Sequence, residues 1–221
     1  MITATLFDLF ETLITESHLQ PTRASSLAAV LGLENAAYRT AWKSRRPHIV
    51  VGALSFADAL TEISQVLTGR VNEAAVEHAC ALRIQEKVEA YTRVTDGIKT
   101  MVSELSRRGV RLGVISNGFR EDVVGWSGCV LAPAFQCTSF SCDEGIAKPD
   151  PQIYLRAIKR LGVTPETTLY IGDGGDNELE GAAHAGIRAY RAAWFAPRNH
   201  EHGAWPVLST CHDVLTVVAA N

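Results

Sequence analysis

The chain has 221 residues, of which 47% are hydrophobic, and its formal net charge is -3 with a pI near 6.2. This length and composition fit one α/β domain with an inserted subdomain, or two small domains. The lack of basic runs argues against nucleic acid and acidic membranes as partners, and no apolar run approaches the roughly 18 residues of a membrane helix.

The first predicted element is a strand over Ile2 to Phe7, an apolar run typical of a buried parallel strand. It delivers Asp8 at its carboxyl end, which is where ligands bind in open α/β sheets. A carboxylate at that place suits a nucleophile or a metal ligand. Thr12 can hold the carboxylate through its hydroxyl and backbone N–H. Taken alone, Asp8 could equally be a residue that caps a turn.

Residues from about 20 to 92 contain no convincing strand, and residues 16–92 are predicted to form a helical block. Apolar spacing, Pro and Gly breakers and a capping residue at Ser55 support this interpretation. The predicted helices are a short one around Leu27 to Leu31, then Glu34 to Arg46, Phe56 to Leu67, and Asn72 to Val88. Pro47 and Gly52 are expected to interrupt the chain after the second of them. The block therefore reads as a helical cap inserted into a core formed by residues 1–15 and 93–221.

Strands and helices alternate in the remainder of the chain. The predicted strands are Val110 to Ile115, Gln136 to Phe140, Thr168 to Ile171 and Ile187 to Ala192. The helices between and after them lie near residues 98–105, 121–126, 151–161, 179–185 and 213–220. This alternation predicts an α/β fold with a doubly wound parallel sheet and right-handed crossovers.

Polar residues follow the carboxyl ends of four strands in turn: Asp8, Ser116 with Asn117, Lys148, and Asp173. Because parallel strands deliver these ends to one edge of a sheet, the side chains should converge there. Two carboxylates can hold Mg²⁺, and one of them can attack phosphorus. A hydroxyl and backbone N–H groups can bind phosphoryl oxygens, while the ammonium neutralises negative charge. Each residue alone has an ordinary structural explanation, but the ordered set favours phosphoryl transfer.

The same residues resemble the haloacid dehalogenase superfamily, whose four motifs are matched in order. The segment Phe7 to Leu13 is similar to the first motif, with Asp8 at the position of the nucleophile. Ser116-Asn117 is similar to the second motif and Lys148-Pro149 to the third. Gly172-Asp173 through Gly181-Ala182 is similar to the fourth motif.

The resemblance implies a Rossmann-like core with a helical cap inserted after the first strand. It also implies an aspartyl-phosphate on Asp8 and Mg²⁺ bound by Asp8, the carbonyl of Phe10, Asp173 and a second acid of the fourth motif. That acid is Glu178 where Asp is common in the family, and Asp176 is a competing candidate. Mg²⁺ is thus the expected cofactor.

Phe10 is the main departure from the family pattern. Phosphatases of this superfamily usually carry an Asp two residues after the nucleophile, as general acid and base. Phenylalanine cannot transfer a proton, so Phe10 is expected to pack under the cap. Glu11, His18 and His48 are the candidates to replace the missing acid.

An aromatic residue at this position is also a feature of the 2-haloacid dehalogenases of the superfamily. Those enzymes use a cap Arg, for which Arg39 lies at a similar distance from the nucleophile, and a tyrosine that corresponds to Tyr154. They lack an acid at the position of Asp173 and need no Mg²⁺. An added carboxylate would repel an anionic haloacid unless a cation neutralised it. Asp173 therefore favours the phosphatase.

The predicted function is Mg²⁺-dependent hydrolysis of a small phosphorylated metabolite. A 2-haloacid dehalogenase and a catalytically weak phosphometabolite-binding protein are the alternatives. Arg39, Arg45 and Tyr154 are the predicted substrate-binding residues, and the cap should set substrate choice. Five cysteines without a Cys-x-x-Cys pattern, and an N-terminus unlike a signal peptide, favour a cytoplasmic protein. A monomer or a homodimer is expected.

Overall fold

The fold alternates strands and helices after an initial helical block, in a computed structural model that describes residues 1–16, 24–195 and 205–220. The described strands are β1 (Ala4–Phe7), β2 (Arg111–Ser116), β3 (Cys137–Phe140), β4 (Thr168–Gly172), β5 (Arg188–Ala192) and β6 (Val207–Leu208). The described helices are α1 (Ala24–Val30), α2 (Asn35–Val50), α3 (Phe56–Thr68), α4 (Glu73–Tyr91), α5 (Asp96–Arg107), α6 (Arg120–Val123), α7 (Ser141–Glu144), α8 (Pro151–Leu161), α9 (Glu178–His184) and α10 (Cys211–Ala220). His18, one of the candidate acids, lies outside these ranges.

The six strands form one parallel sheet in the order β3-β2-β1-β4-β5-β6. β1 lies inside the sheet, where Ala4 pairs with Arg111 of β2 on one side and with Thr168 of β4 on the other. All four residues of β1 are buried, as expected for a parallel strand covered on both faces. The predicted α/β, Rossmann-like class is confirmed.

Helices cover both faces of the sheet. Successive side chains of a strand point to opposite faces, so neighbouring residues of β1 pack against different helices. Phe7 of β1 belongs to an apolar cluster with residues of α5 and α10. Its neighbour Leu6 belongs to a second cluster with residues of α8 and α9. A third cluster lies among α1 to α4, the inserted helices, which fall between β1 and β2 in the sequence.

Helix α2 does not end at Arg46 as predicted but continues through Pro47 to Val50. Proline has no N–H to donate to the carbonyl four residues earlier, so it leaves the Lys43 carbonyl without its helical partner. Lys43 and Pro47 are both exposed, so water can reach that carbonyl and the helix persists. The predicted N-cap residue of α3, Ser55, is confirmed, since its Oγ accepts a hydrogen bond from Asp58 N at 3.0 Å.

All five cysteines are free thiols. No helix in the described ranges combines the length and the apolar character needed to cross a bilayer.

Candidate active site

The loop after β1 presents Asp8. The Asp8 N–H donates to the carbonyl of Ile171 on β4 at 2.8 Å, and the residue is only 7% exposed. Thr12 Oγ1 donates to Asp8 Oδ2 at 3.1 Å. The loop turns back through Glu11, whose φ of 57° is a left-handed conformation that is rare without glycine. This turn brings Thr12 against the carboxylate.

Lys148 lies between two carboxylates. Its Nζ donates to Asp8 Oδ1 and to Glu178 Oε2, and it also lies 3.2 Å from the hydroxyl of Tyr170. Burial opposes the charged form of Lys148, but Asp8 and Glu178 outweigh it and hold the pKa above its ordinary value. The ammonium therefore keeps its charge at neutral pH.

Both the side chain and the backbone carbonyl of Glu178 accept hydrogen bonds from neighbouring residues. Its Oε1 accepts from Gly174 N at 3.0 Å, and its Oε2 accepts from the Tyr170 hydroxyl at 2.7 Å. The hydroxyl of Tyr154 donates to the Glu178 carbonyl at 2.8 Å. Tyr154, predicted to bind substrate, is fully buried behind Glu178 and contacts its backbone instead. Tyr170 was not predicted, because a tyrosine within a buried strand resembles any other core residue.

Asp8, Asp173 and Glu178 form an acidic cluster in which one oxygen from each lies within 4.8 Å of the others; Asp8 and Glu178 are buried and Asp173 is half-buried. Burial, and next the negative charge of Glu178, raise the pKa of Asp8 to about 8, although Lys148 works in the opposite direction. Three carboxylates face a single ammonium, so the cluster has an excess of negative charge. Oxygen ligands of this kind fit Mg²⁺, which is a hard cation.

Asp176, the competing acid of the fourth motif, is exposed and does not belong to this cluster. Its Oδ2 accepts from Asn117 Nδ2 at 3.0 Å. The geometry therefore favours Glu178 over Asp176 as the second acid of the candidate metal site.

Asn117 holds the backbone of Lys148. Lys148 N donates to Asn117 Oδ1 at 2.8 Å, and Asn117 Nδ2 donates to the Lys148 carbonyl at 2.9 Å. Ser116 ends β2 beside it and is almost fully buried. The second and third motifs are thus joined directly at the edge of the sheet.

Phe10 lies against α4. Its ring centroid is 6.1 Å from that of Tyr91, and Lys87 Nζ lies 4.1 Å from the Phe10 centroid. Lys87 also pairs with Glu16 at 2.7 Å. The carboxylate of Glu11, one candidate acid, accepts from Thr15 Oγ1 and from Glu16 N, so it is engaged within its own turn.

Arg39 and Arg45 lie on α2, and their contacts do not connect them with the acidic cluster. Arg45 Nε pairs with Glu62 of α3 at 3.0 Å. Arg39 is exposed and lines an open groove of about 830 Å³ together with Lys43 and Arg46. His48, the remaining candidate acid, is also exposed on α2. The substrate-binding roles of both arginines stay predictions.

Gly181 of α9 allows the close approach of the segment that carries Lys148. A Cβ at Gly181 would lie 2.5 Å from the Pro149 carbonyl oxygen and 2.9 Å from the Tyr154 hydroxyl. Alanine normally stabilises a helix relative to glycine. We expect Gly181→Ala to reverse that sign and to lower Tm by roughly 2–12 °C, through about 1–3 kcal/mol of overpacking.

Thermal unfolding of Gly181→Ala and Gly128→Ala measures this effect. A Cβ at Gly128 would meet no atom within 4 Å, so the control should keep its Tm or gain slightly. An unchanged or raised Tm in Gly181→Ala would contradict the prediction.

The sequence profile of haloacid dehalogenase-like hydrolases matches residues 2–186. The chain belongs to this family. The chain is 26% identical over 197 residues to the glyceraldehyde 3-phosphate phosphatase of Methanopyrus kandleri, and this match covers 86% of the chain and 84% of that enzyme. It is 33% identical over 132 residues to the phosphoserine phosphatase of Thermus thermophilus, which covers 54% of the chain. In that match the chain spans about half of the relative, 52% of its length.

Solved structures of family members have the same fold over almost their whole length. A 2-haloacid dehalogenase from Pseudomonas syringae has a TM-score of 0.76 at 20% identity, covering 100% of this chain and 99% of that one. A family phosphatase from Thermococcus onnurineus has a TM-score of 0.67 at 19% identity, covering 98% of each chain. At these identities the likeness establishes the fold alone. Phosphatases and dehalogenases share it, so the choice between them depends on the site.

Proposed function

We propose that the chain is a Mg²⁺-dependent hydrolase of small phosphomonoesters that acts through an aspartyl-phosphate on Asp8. The observation that carries this proposal is the acidic cluster of Asp8, Asp173 and Glu178. Attack on a haloacid needs no cation, and a second carboxylate beside the nucleophile would repel that anion. The phosphatases among the relatives support the same reading.

Asp8, Asp173 and Glu178, with the Phe10 carbonyl that the family resemblance adds, would hold the ion. When bound, Mg²⁺ supplies positive charge that offsets the repulsion between these carboxylates and the phosphoryl oxygens. Lys148 adds a fixed ammonium beside Asp8. Together these groups make it possible for an anionic substrate to approach an anionic nucleophile.

The reaction has two steps. A carboxylate oxygen of Asp8 forms a bond to phosphorus while the bond to the leaving oxygen breaks and its electron pair departs with that oxygen. Because Phe10 offers no proton, the leaving oxygen is protonated from water or departs as an anion. Water then attacks phosphorus, the Asp8–phosphorus bond breaks, and the carboxylate, inorganic phosphate and a proton are released. Ser116 would bind a phosphoryl oxygen, while Asn117 positions Lys148.

We assign residues 16–92 to a cap that selects the substrate, and residues 1–15 and 93–221 to the catalytic core. Arg39 and Arg45 on α2 are proposed to attract the anionic substrate. Tyr154 is proposed to act indirectly, because its hydroxyl holds the backbone of Glu178.

A 2-haloacid dehalogenase is the second candidate function. The aromatic side chain of Phe10, which packs against Tyr91, favours it because halide leaves carbon without a proton. In this reaction an Asp8 oxygen would attack the carbon that carries the halogen, and water would then hydrolyse the ester. Asp173 would have no function in that scheme.

The test is hydrolysis of p-nitrophenyl phosphate and of chloroacetate, each with Mg²⁺ or with EDTA. We expect phosphate release that requires Mg²⁺ and no chloride release. Chloride release that is indifferent to EDTA would establish the dehalogenase instead. Failure to release either product from any member of a phosphomonoester or haloacid panel would favour a binding protein.

Mg²⁺ should also raise the thermal stability of the protein. At one hundred times its Kd, a ligand that binds only the folded state adds about 2.7 kcal/mol, or roughly 5–11 °C in Tm for a chain of this size. Asp173→Asn should abolish the shift, and Asp176→Asn should keep it because Asp176 lies outside the acidic cluster. A full shift in Asp173→Asn would contradict the assignment.

The increase in Tm that Mg²⁺ produces should also depend on pH. The pKa of Asp8 is raised from its ordinary value of 3.8 to about 8 in the folded protein without metal. The folded protein therefore holds more protons than the unfolded chain between these two values, so its free energy of unfolding falls as pH rises through this window. Mg²⁺ competes with the proton on Asp8, and its stabilising effect should be larger at pH 8 than at pH 6.

A further inference from the structure

Residues 116–122, which we name the β2 loop, run from the last residue of β2 through most of the short helix α6. On the core side, Asn117 of this loop exchanges hydrogen bonds with the backbone of Lys148. On the other side, the β2 loop contacts the inserted helices. These contacts connect the cap with the second and third motifs.

Arg83 of α4 makes the principal contact. Its Nη2 donates to Asp122 Oδ2 at 2.8 Å, and its Nε lies 2.7 Å from Asp122 Oδ1. The two side chains are only 17% and 6% exposed, so salt screens the pair little. Removal of one partner would leave a largely buried charge without its counterion, which is strongly unfavourable. The pair therefore resists separation of α4 from the β2 loop.

Asp122 and Phe119 extend the contact with Arg83 along the loop. Asp122 Oδ2 also accepts from Phe119 N at 2.9 Å. The Phe119 ring lies beside the Arg83 guanidinium, whose central carbon is 4.3 Å from the ring centroid. Phe119 is also a buried member of the apolar cluster of the inserted helices, in which its ring packs against Phe56. Arg83 thus holds both ends of the turn from Phe119 to Asp122.

Two further side chains hold the same loop through hydrogen bonds. The hydroxyl of Tyr91, also on α4, donates to the Asp122 carbonyl at 2.9 Å. Ser141 Oγ donates to the Val50 carbonyl at 2.6 Å and accepts from Gly118 N at 3.1 Å. Helix α4 therefore contacts the end of the β2 loop directly, whereas Ser141 of α7 links α2 to the middle of the loop.

We propose that Arg83 and Asp122 are positioning residues that keep the β2 loop, and through Asn117 also Lys148, aligned with Asp8. The proposal rests on the proposed function, since it concerns the alignment of the same nucleophile. The loop is short and held at both ends, so displacement of Asp122 shifts Asn117 and the Lys148 backbone. A misplacement of about 1 Å at reacting groups can lower a rate by roughly 10²-fold.

The experiment compares Arg83→Met and Arg83→Lys with the control Arg160→Met. Arg160 also pairs with a largely buried carboxylate, Glu144, but its contacts lie near β3 and α7 rather than at the β2 loop. For p-nitrophenyl phosphate we expect kcat to fall roughly 10–100-fold in Arg83→Met with little change in KM. Arg83→Lys should recover part of the loss, and Arg160→Met should keep the wild-type kcat.

Hydrogen exchange of the ligand-free protein supplies a readout that is independent of activity. Amides of the β2 loop and of residues 147–148 should exchange at least about tenfold faster in Arg83→Met, and at the wild-type rate in Arg160→Met. Unchanged exchange in the β2 loop, an unchanged kcat, or an equal fall of kcat in Arg160→Met would each overturn the proposal.

The two hypotheses fail in different ways. A wild-type protein that hydrolyses no phosphomonoester refutes the proposed function, and the exchange rates then decide on their own whether Arg83 holds the loop. If Arg83→Met does not fold, Asp122→Asn replaces it, because that change keeps the shape of the side chain and removes its charge. For Asp122→Asn we expect the same fall in kcat and the same faster hydrogen exchange.

Discussion

Replacement of Asp8 by asparagine should reduce phosphatase turnover on the order of 10⁴-fold or more, because an amide cannot form the phosphoryl bond. The substitution preserves the shape of the side chain, and it removes a carboxylate whose charge is disfavoured by burial and by Glu178. The metal-free variant should therefore fold with a Tm at least equal to that of the wild type at pH 8. Steady-state hydrolysis of p-nitrophenyl phosphate and thermal unfolding measure the two effects.

Asp143→Asn is the matched control for this variant. Asp143 is more than half exposed on α7, where it pairs with Arg120, so its loss should leave turnover unchanged. Acid quenching of the wild-type reaction should trap one phosphoryl group on the peptide that contains Asp8. Turnover of Asp8→Asn within tenfold of the wild type, or a trapped phosphoryl group on another residue, would refute the nucleophile assignment.

Introduction of an acid at Phe10 should have the second large effect. General acid catalysis typically contributes 10²–10⁴-fold, so Phe10→Asp should raise the turnover of alkyl phosphates by roughly 10²-fold or more. The p-nitrophenolate ion leaves without a proton, and its ester should therefore respond little. The ratio of turnover between the two substrates isolates proton transfer from other consequences of the mutation.

Phe10→Asn separates the acid from the loss of the ring. Both variants remove the packing of Phe10 against Tyr91 and the contact with Lys87, but only the carboxylic acid can donate a proton. An equal gain in Phe10→Asn would show that space rather than proton transfer limits the wild type. No gain with alkyl phosphates in Phe10→Asp would refute the idea that the missing acid limits turnover.

The position of the site could be predicted from the sequence because parallel strands bring their carboxyl ends to one edge. Asp8 and Asp173 follow apolar runs that are central strands of the sheet, β1 and β4. Lys148 reaches the same edge from the loop after α7, and its ammonium lies between Asp8 and Glu178. The apolar pattern of the strands and the parallel topology of the sheet are sufficient to predict the position of the site.

The supporting residues could not be predicted, because their importance arises only from tertiary contact. Tyr170 occupies a buried strand position where any large side chain would fit the pattern, and its hydroxyl meets Glu178 only in the folded protein. Arg83 and Asp122 are 39 residues apart and lie in helices without a recognisable motif. The extension of α2 beyond Pro47 likewise depends on the exposure of a carbonyl, which the proline itself does not reveal.

The part of the chain that follows the family match completes the sheet. The match ends at residue 186, before β5, β6 and α10. Trp194, which lies beyond it, donates its indole N–H to the carbonyl of Thr12 at 2.8 Å. A chain truncated at that boundary would turn β4, whose five residues are all buried, into an unpaired edge strand. Exposed apolar edges recruit other strands, so shortening this protein to the residues that the family profile matches should produce aggregates rather than a minimal enzyme.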